Sequence, residues 1–344
     1  MYRFVWTDEE LDAVQTLLQE CALQYKSVED PEFIKYAGVL AHSLPKRLRW
    51  LLHDFKQSEP APGVCLISGY PVNNHKIKST PSHWRKRQEV STTLEEDLLF
   101  VLISSILGEV FGWFTEQDRC IVHEVVPIKE HEDKQISTSS EQYIWWHTED
   151  AFHPYQGDYI GLMCLRNPDA VVTTYACIDM LKLDEAHIKT LFEPRFTIRP
   201  DVSHFDAESP EVESILSSDD QELASAYRKM KQMNSDPAKV AILFGSPKSA
   251  YMRIDPYFMN PLTDDHEAQQ AFDALTRAID SVLSDLILLP GDICFIDNYR
   301  TVHGRKPYKA RYDGSDRWLK RINITRDLRK SRNARSSATS RIIF

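Results

Sequence analysis

Residues 147–153 read HTEDAFH and stand where a strand pattern begins in the sequence. In extended backbone, side chains two positions apart project to the same face, so His147 and Glu149 could hold one metal ion together. Short motifs of this kind also occur by chance, and most are a surface histidine beside a solvated carboxylate. The pair therefore indicates a metal site only if a further ligand, and a use for the metal, are found elsewhere in the chain.

A third ligand is available at His303, in the segment LILLPGDICFIDNYRTVHGR (286–305), which reads as an apolar strand followed by a turn. Two histidines and one carboxylate, with the other metal positions open, form the ligand set of non-heme Fe(II) oxygenases. Zinc hydrolases can use the same ligands. Arg317 follows His303 in the sequence, and its planar guanidinium can clamp a carboxylate. An oxygenase with a keto-acid cosubstrate needs such a clamp, whereas a zinc hydrolase has no use for it.

These residues, together with the stretches HTEDAFHPY (147–155) and YIGLMCLRN (159–167), resemble the clavaminate synthase-like branch of the Fe(II)/2-oxoglutarate dioxygenases. Within that branch the chain looks most like the hydroxylases of free arginine, asparagine and lysine. The resemblance implies an enzyme that uses Fe(II), 2-oxoglutarate and O2 and releases succinate and CO2. His147, Glu149 and His303 would be its catalytic metal ligands.

The resemblance also implies the groups that hold the cosubstrate. The far carboxylate of 2-oxoglutarate would pair with Arg317, and a threonine hydroxyl would support it. Thr174 best matches the family position, and its neighbour Thr173 is the residue with which it could be confused. Because Glu149 is present, a halogenase of the same fold, which lacks the metal carboxylate, does not fit.

Further residues match family positions that contact the amino acid substrate. Arg321 would hold the α-carboxylate, Gln117 the α-amino group and Asp255 a cationic side chain, with Glu149 beside the substrate as well. The arginine hydroxylases carry a second aspartate two residues after the first, where this chain has Tyr257. We include Tyr257 among the substrate contacts, and this departure puts arginine itself in doubt.

The expected reaction is hydroxylation of C3 or C4 of a free L-amino acid with a basic side chain: lysine, arginine or a cyclic guanidine such as enduracididine. Other outcomes stay open. The same chemistry could act on a neutral amino acid such as asparagine, and the same hydrogen abstraction could lead to desaturation or cyclisation. A metal-binding sensor without catalysis should have lost a ligand, and none is missing.

Apolar runs from Ile121 onward have the length and composition of strands. They predict two facing sheets with a pocket between them, the double-stranded β-helix (jelly roll, cupin-like), in a mainly β chain with flanking helices (α+β). We expect a single dioxygenase domain over residues 1–344. Its parts are a mostly helical N-terminal scaffold (1–115), the jelly-roll core (116–325), an acidic lid insertion within that core (201–239) and a basic C-terminal tail (326–344).

Composition limits the function further. Of 344 residues, 42% are hydrophobic and 27% charged, which is ordinary for a soluble globular protein. A net charge of −10 argues against nucleic-acid binding. The six cysteines lack CxxC spacing, which favours a reducing, cytoplasmic setting, and the most apolar helix candidate, Leu98–Val110, is too short to span a membrane. We expect a free amino acid as the small-molecule partner, and a homo-oligomer stays open.

Overall fold

The computed structural model describes residues 1–86, 91–205, 211–217 and 220–344. Within these ranges the helices are Asp8–Gln24 (α1), Pro31–Leu40 (α2), Lys46–Ser58 (α3), Asn74–Ile77 (α4), Leu94–Leu107 (α5), Glu185–Leu191 (α6), Glu211–Leu216 (α7), Gln221–Ser235 (α8) and His266–Val282 (α9). The strands are Tyr2–Val5 (β1), Val64–Ser68 (β2), Glu109–Trp113 (β3), Val122–Val125 (β4), Ile144–His147 (β5), Tyr159–Arg166 (β6), Val172–Cys177 (β7), Phe196–Thr197 (β8), Lys239–Val240 (β9), Leu243–Ser246 (β10), Ser249–Met252 (β11), Ser284–Ile287 (β12), Ile293–Asp297 (β13), Thr301–Arg305 (β14), Trp318–Thr325 (β15) and Ile342–Ile343 (β16).

Two sheets make the body of the protein. The larger sheet has the order β1-β2-β13-β6-β15-β3-β16, with β4 also paired to β15. Its neighbours are antiparallel except for the parallel pairs β1–β2 and β3–β16. The smaller sheet, β12-β7-β14-β5, is antiparallel throughout. Two short antiparallel pairs, β8–β9 and β10–β11, lie outside these sheets.

Apolar side chains from both sheets fill part of the space between them. Ile160 of β6 and Leu319 of β15 share a buried cluster with Tyr175 of β7 and Leu286 of β12. Because successive strand residues point to opposite faces, outward side chains of the smaller sheet such as Val302 pack instead with α9 in a second cluster. Two facing sheets around a common interior are the jelly roll expected from the sequence, so the mainly β fold with flanking helices is confirmed.

The N-terminal scaffold is mostly helical, but it is built into the core. Helix α5 is buried along most of its length and shares one hydrophobic cluster with α1, α2, α3 and the larger sheet. Strands β1, β2 and β3 of the same segment belong to that sheet. Residues 1–115 therefore supply part of the jelly-roll body as well as the helices around it.

The apolar run at 286–296, which reads as one strand, is two strands in different sheets. Strand β12 lies in the smaller sheet and β13 in the larger one. The chain turns between them at Gly291, where φ is +88° and a Cβ would lie 1.8 Å from the Tyr70 carbonyl oxygen. Only glycine fits this turn. It carries the chain from one sheet to the other before β14 returns to the smaller sheet with His303.

The segment 201–239, expected to be a lid, falls partly outside the described residues, at 206–210 and 218–219. Its described part contains α7 and α8, and Phe205 and Met230 pack with Phe152, which follows the metal motif. The C-terminal tail ends in β16, which pairs with β3 of the larger sheet. Among the described helices, none combines the length and apolarity that crossing a membrane requires.

Candidate active site

His147, Glu149 and His303 meet between the two sheets. The Nε2 atoms of His147 and His303 lie 3.4 and 3.2 Å from Oε2 of Glu149. One ligand atom from each residue lies within 4.8 Å of the others. The three side chains that the sequence singles out are thus close enough to hold one metal ion.

Strand register explains this convergence. His303 on β14 stands across from His147 on β5, and residues opposite each other on antiparallel strands present their side chains to the same face. Glu149 lies just past the end of β5. Its N–H donates to Oδ1 of Asn298 at 2.7 Å, and its carbonyl accepts from Nδ2 of Asn298 at 3.0 Å. Asn298 therefore fixes the Glu149 backbone against the turn between β13 and β14.

The protonation of the site suits a cation. Nδ1 of His147 lies 2.8 Å from the Trp145 carbonyl oxygen, and a carbonyl can only accept, so Nδ1 carries a proton and Nε2 is the atom available to a metal. Burial opposes ionisation of Glu149, but Arg321 and the two histidines hold its pKa well below the usual range. Two imidazole nitrogens and an ionised carboxylate are donors that ferrous iron accepts.

Arg317 is a buried cation beside the triad. Its side chain is 5% exposed and lines the same cavity as the three ligands. Among the described residues its Nε has no hydrogen-bond partner, and no carboxylate forms an ion pair with it. Burial lowers its pKa. Because an isolated buried charge is costly, this position favours an anionic ligand.

One cavity holds these groups, and part of its space is open to solvent. Apolar residues of both sheets, including Ile144, Ile160 and Leu319, form part of its wall. The charged and ionisable lining residues are His147, Glu149, Asp150, Asp201, Asp255, His303, Arg305, Arg317 and Arg321. Such a lining suits a small, highly charged substrate together with an organic acid.

Comparison with protein families matches residues 63–323 to the taurine catabolism dioxygenase TauD, TfdA family. The chain belongs to this family. Among curated TauD/TfdA relatives, enduracididine beta-hydroxylase of Streptomyces hygroscopicus is 44% identical over 338 residues, 98% of each chain. L-ornithine/L-arginine 3-hydroxylase of Catenulispora acidiphila is 42% identical over 345 residues and covers 100% of both chains.

A solved structure agrees with this family assignment. The non-heme iron oxygenase OrfP, in complex with Fe, succinate and (3S)-hydroxy-L-Arg, has a TM-score of 0.92 to this chain at 39% identity, over 100% of both chains. The sequence-based assignments of the dioxygenase class, its iron and its 2-oxoglutarate are therefore confirmed. This TauD/TfdA enzyme uses Fe(II), 2-oxoglutarate and O2.

The residues at the site fit both groups. His147, Glu149 and His303 would hold the iron, and Arg317 would supply the counter-ion for the far carboxylate of 2-oxoglutarate. When bound, iron and 2-oxoglutarate together activate O2 for cleavage of a substrate C–H bond, with succinate and CO2 as coproducts. The protein contributes the position of each group and the charged lining of the cavity.

The threonine on the cavity wall is Thr173, not Thr174. Thr173 lines the cavity and pairs across the sheet with Arg305 of β14. Thr174 points to the opposite face, where its Oγ1 lies 3.0 Å from the place that a Cβ on Gly304 would take, and it has no hydrogen-bond partner among the described residues. The prediction of Thr174 is wrong by one position, because the sequence does not give the phase of β7 relative to the cavity.

Replacing Thr173 by valine is expected to raise the KM for 2-oxoglutarate about tenfold. The change removes one hydrogen bond to a charged group, which contributes about 1.5–3 kcal/mol, without changing the side-chain shape. Thr174→Val is the matched control and should leave this KM within about twofold, because its hydroxyl bonds nothing in the described structure. Succinate formation at varied 2-oxoglutarate measures both. A larger effect at Thr174 than at Thr173 would reverse the assignment.

Arg321 is held between two carboxylates at the cavity wall. Its guanidinium donates to Glu149 and to both oxygens of Glu116, at 2.8 and 2.7 Å. Burial opposes ionisation of Glu116, but Arg321 and nearby histidines hold its pKa at about 2. Nε of Arg321 has no partner among the described residues. Arg321 thus keeps a donor for a substrate carboxylate while its position is fixed by Glu116 and Glu149.

Gln117 does not line this cavity. Its Nε2 donates to the Glu124 carbonyl and its Oε1 accepts from the Glu124 N–H, both at 2.9 Å, much as a neighbouring strand would. Its neighbour Glu116 is not among the lining residues either, but its carboxylate contacts Arg321, which lines the cavity. The structure therefore does not place the Gln117 side chain on the cavity wall, because the sequence alone does not show which way a polar loop residue points.

Asp255, expected to contact the cationic end of the substrate, shares the cavity wall with a second aspartate that the sequence does not indicate. Asp255 lines the cavity, and burial raises its pKa to about 6. Tyr257 is 49% exposed and is absent from the lining residues, where Phe258 stands instead. Asp201, at the start of the lid segment, also lines the cavity. Asp201 is remote from Asp255 in sequence, and no motif connects the two.

His204 anchors the start of the lid segment beside the metal motif. It is fully buried and bonds Oδ1 of Asp150 through Nε2 at 2.9 Å. The neighbouring Ser203 hydroxyl donates to Glu116 at 2.9 Å. Asp150 adopts a left-handed conformation with φ +52° and also accepts from Nε1 of Trp113 at 2.6 Å. These contacts connect the lid residues at the cavity wall to the strand end that carries Glu149.

Proposed function

We propose that this enzyme hydroxylates C3 of a free L-amino acid whose side chain ends in a guanidinium, either arginine or a cyclic relative such as enduracididine. The observation that carries this proposal is the pair of carboxylates on the cavity wall, Asp201 and Asp255. Neither forms an ion pair with a cation among the described residues. A planar guanidinium can bond two carboxylates at once. The 3-hydroxylase and beta-hydroxylase relatives support C3 as the position.

The α-carboxylate and the α-ammonium of the substrate would each bind near side chains of opposite charge. Arg321, through its unpartnered Nε, would bond the α-carboxylate. Glu116 and Glu149, which flank Arg321, would attract the α-ammonium. A substrate held by charge at both ends has little freedom to slide, and displacements of about an ångström relative to the metal change rates greatly. Two-ended binding therefore accounts for hydroxylation at a single carbon.

Phe258 favours a guanidinium over a simple ammonium. Its ring lines the cavity together with Asp255, and guanidinium groups stack on aromatic faces while bonding carboxylates in their own plane. The ammonium of lysine is a compact, strongly hydrated charge and gains less from such a surface. This arrangement supports arginine as a substrate despite Tyr257, because Asp201 would supply the second acid.

We further propose that the enzyme works in the cytoplasm on its free amino acid. None of its six cysteines, all of which lie in the described ranges, forms a disulfide. Proteins of oxidising compartments commonly contain disulfides, whereas reduced thiols are the rule in the cytosol. Buried thiols such as Cys65 and Cys294 pack as small hydrophobic groups.

Incubation of the iron-loaded enzyme with 2-oxoglutarate, O2 and single free amino acids tests the proposal. We expect arginine or enduracididine to gain one oxygen atom by mass, with the hydroxyl at C3 by NMR, and succinate to form only when that amino acid is present. Asparagine should react at least about a hundredfold more slowly. Comparable turnover of neutral amino acids, or turnover of carrier-tethered substrates alone, would contradict the proposal.

Replacing Asp255 by asparagine is expected to raise the KM for arginine about 30-fold or more. Truncating one partner of a buried charge pair costs about 2–5 kcal/mol, and each 1.4 kcal/mol is about tenfold. Iron content should not change. Asp285→Asn, on an exposed carboxylate that pairs with Lys306, is the matched control and should leave KM unaltered. Parallel loss of iron and of arginine binding in Asp255→Asn would argue against a substrate role.

A further inference from the structure

A second buried arginine stands near the cosubstrate clamp. Arg305 is 5% exposed and lines the cavity. It follows His303 by two positions on β14, so both side chains point inward. Its partner across the sheet is Thr173. Arg317 is close enough that its charge acts on Arg305. Arg305, Arg317 and Thr173 therefore cluster on one side of the metal triad.

The protein partners of Arg305 are all uncharged. Nη1 donates to the Ser140 carbonyl at 3.0 Å. Nη2 donates to the Ser139 hydroxyl at 2.8 Å and to the Gln142 carbonyl at 2.9 Å. Nε has no hydrogen-bond partner in the described part of the chain. No described carboxylate forms an ion pair with it either. Arg305 and Arg317 are thus two buried cations that line one cavity without a counter-ion among the described residues.

Two adjacent buried cations repel each other, and burial makes this repulsion stronger than it would be in water. The fold tolerates such a pair only at a cost in stability, which a bound anion would offset. The far carboxylate of 2-oxoglutarate is the anion that the family brings to this place. One carboxylate has two oxygens and can accept from two guanidinium groups and a hydroxyl together.

We propose that Arg305 is a further cosubstrate-binding residue, whose buried charge helps to hold the far carboxylate of 2-oxoglutarate alongside Arg317 and Thr173. Its donors hold residues 139–142, and this segment continues from Gln135, Ile136 and Ser137, which line the cavity. Binding of the cosubstrate therefore orders this wall of the cavity through Arg305. The inference rests on the 2-oxoglutarate dependence of the family and holds whichever amino acid is the substrate.

Calorimetric titration of 2-oxoglutarate, without O2, into protein loaded with Mn(II) in place of iron tests the binding role. We expect Arg305→Met to weaken 2-oxoglutarate about 10- to 100-fold, the range for loss of a charge-assisted contact. Arg305→Lys keeps the charge but loses the planar set of donors. Its affinity for 2-oxoglutarate should lie between those of Arg305→Met and the natural protein. Binding of 2-oxopentanoate, which lacks the far carboxylate, should be equally weak in all three.

Arg335→Met is the matched control. Arg335 is also a buried arginine whose described acceptors are uncharged, including the carbonyls of Leu328, Ser337 and Ala338, but it lies outside the cavity lining. This variant should bind 2-oxoglutarate as the natural protein does. The proposal would be overturned if Arg305→Met and Arg335→Met lost the same affinity for 2-oxoglutarate. It would also be overturned if Arg305→Met lost as much affinity for 2-oxopentanoate as for 2-oxoglutarate, because Arg305 would then have only a structural role.

Hydrogen exchange on the natural protein supplies a readout that needs no variant. With Mn(II) present, 2-oxoglutarate should slow exchange of the backbone amides of 135–142, and 2-oxopentanoate should not. If both acids protect this segment equally, or neither does, the far carboxylate does not order residues 135–142 through Arg305. Failure of every amino acid to react would concern the proposed substrate and would leave these results unaffected.

Discussion

Substitution of Arg317 by methionine is expected to weaken 2-oxoglutarate binding by at least a hundredfold and to remove measurable turnover at ordinary cosubstrate concentrations. Loss of one partner from a desolvated charge pair costs about 2–5 kcal/mol, and the cosubstrate carboxylate would be left facing an apolar side chain. Because Arg317 has no counter-ion among the described residues, its removal breaks no described ion pair. The ligand-free variant should therefore be at least as stable as the natural protein.

Thermal unfolding with and without 2-oxoglutarate separates this effect from misfolding. A ligand that binds only the folded state raises stability in proportion to the logarithm of its concentration over its Kd. The natural protein loaded with Mn(II) should gain melting temperature on addition of 2-oxoglutarate, and Arg317→Met should gain none. Arg317→Lys should recover part of the gain, because an ammonium keeps the charge without the planar fork. A lower melting temperature of ligand-free Arg317→Met would instead indicate a structural role.

The two ends of the cavity are arranged by charge. Arg305 and Arg317 lie at the cosubstrate side without described counter-ions, and Asp201 and Asp255 offer two carboxylates without described cations. Each like-charged pair is unfavourable alone and becomes favourable when a ligand of the opposite sign binds. In the proposed binding mode, specificity for an acid at one side and a base at the other follows from these two like-charged pairs, because each ligand neutralises the pair of opposite sign.

The convergence of the metal triad could be predicted from the sequence because strand geometry constrains it, whereas Arg317 was indicated by its chemistry and by the family resemblance. His147 and Glu149 have the spacing that puts two side chains on one face, and His303 follows a run whose apolar residues require burial. The jelly roll followed from the same runs. Residues 286–296 nevertheless divide between two sheets at Gly291, since an apolar run does not show where the chain crosses the core.

The misplacement of Thr174 and of Gln117 has one physical cause, which is the phase of side chains within short segments. Thr173 and Thr174 are chemically identical neighbours, and only the pairing of β7 with β14 decides which of them faces the cavity. The side chain of Gln117 bonds the Glu124 backbone and does not line the cavity. Asp201 was missed for another reason: it lies on the lid segment, and its approach to Asp255 depends on tertiary packing that no local pattern encodes.

Replacing Glu149 by alanine is expected to reduce bound iron to less than about a tenth of that in the natural protein and to lower turnover at least a thousandfold. The two imidazoles would remain, but the site would lose its only anionic ligand, and metal sites depend strongly on such a charge. The fold should survive, because Arg321 would still be paired with Glu116 at 2.7 and 2.8 Å. Metal analysis and circular dichroism measure the two effects separately.

Glu116→Gln is the matched comparison, since Glu116 and Glu149 both hold Arg321 but only Glu149 touches His147 and His303. The amide oxygen of the substituted side chain can still accept from Arg321, so iron content should stay near that of the natural protein. The KM for the amino acid should rise about tenfold or more, because the charge that attracts the α-ammonium is lost. If Glu116→Gln lost iron as fully as Glu149→Ala, the two carboxylates would have to be regarded as one network, and the separation of metal binding from substrate binding drawn from these distances would be wrong.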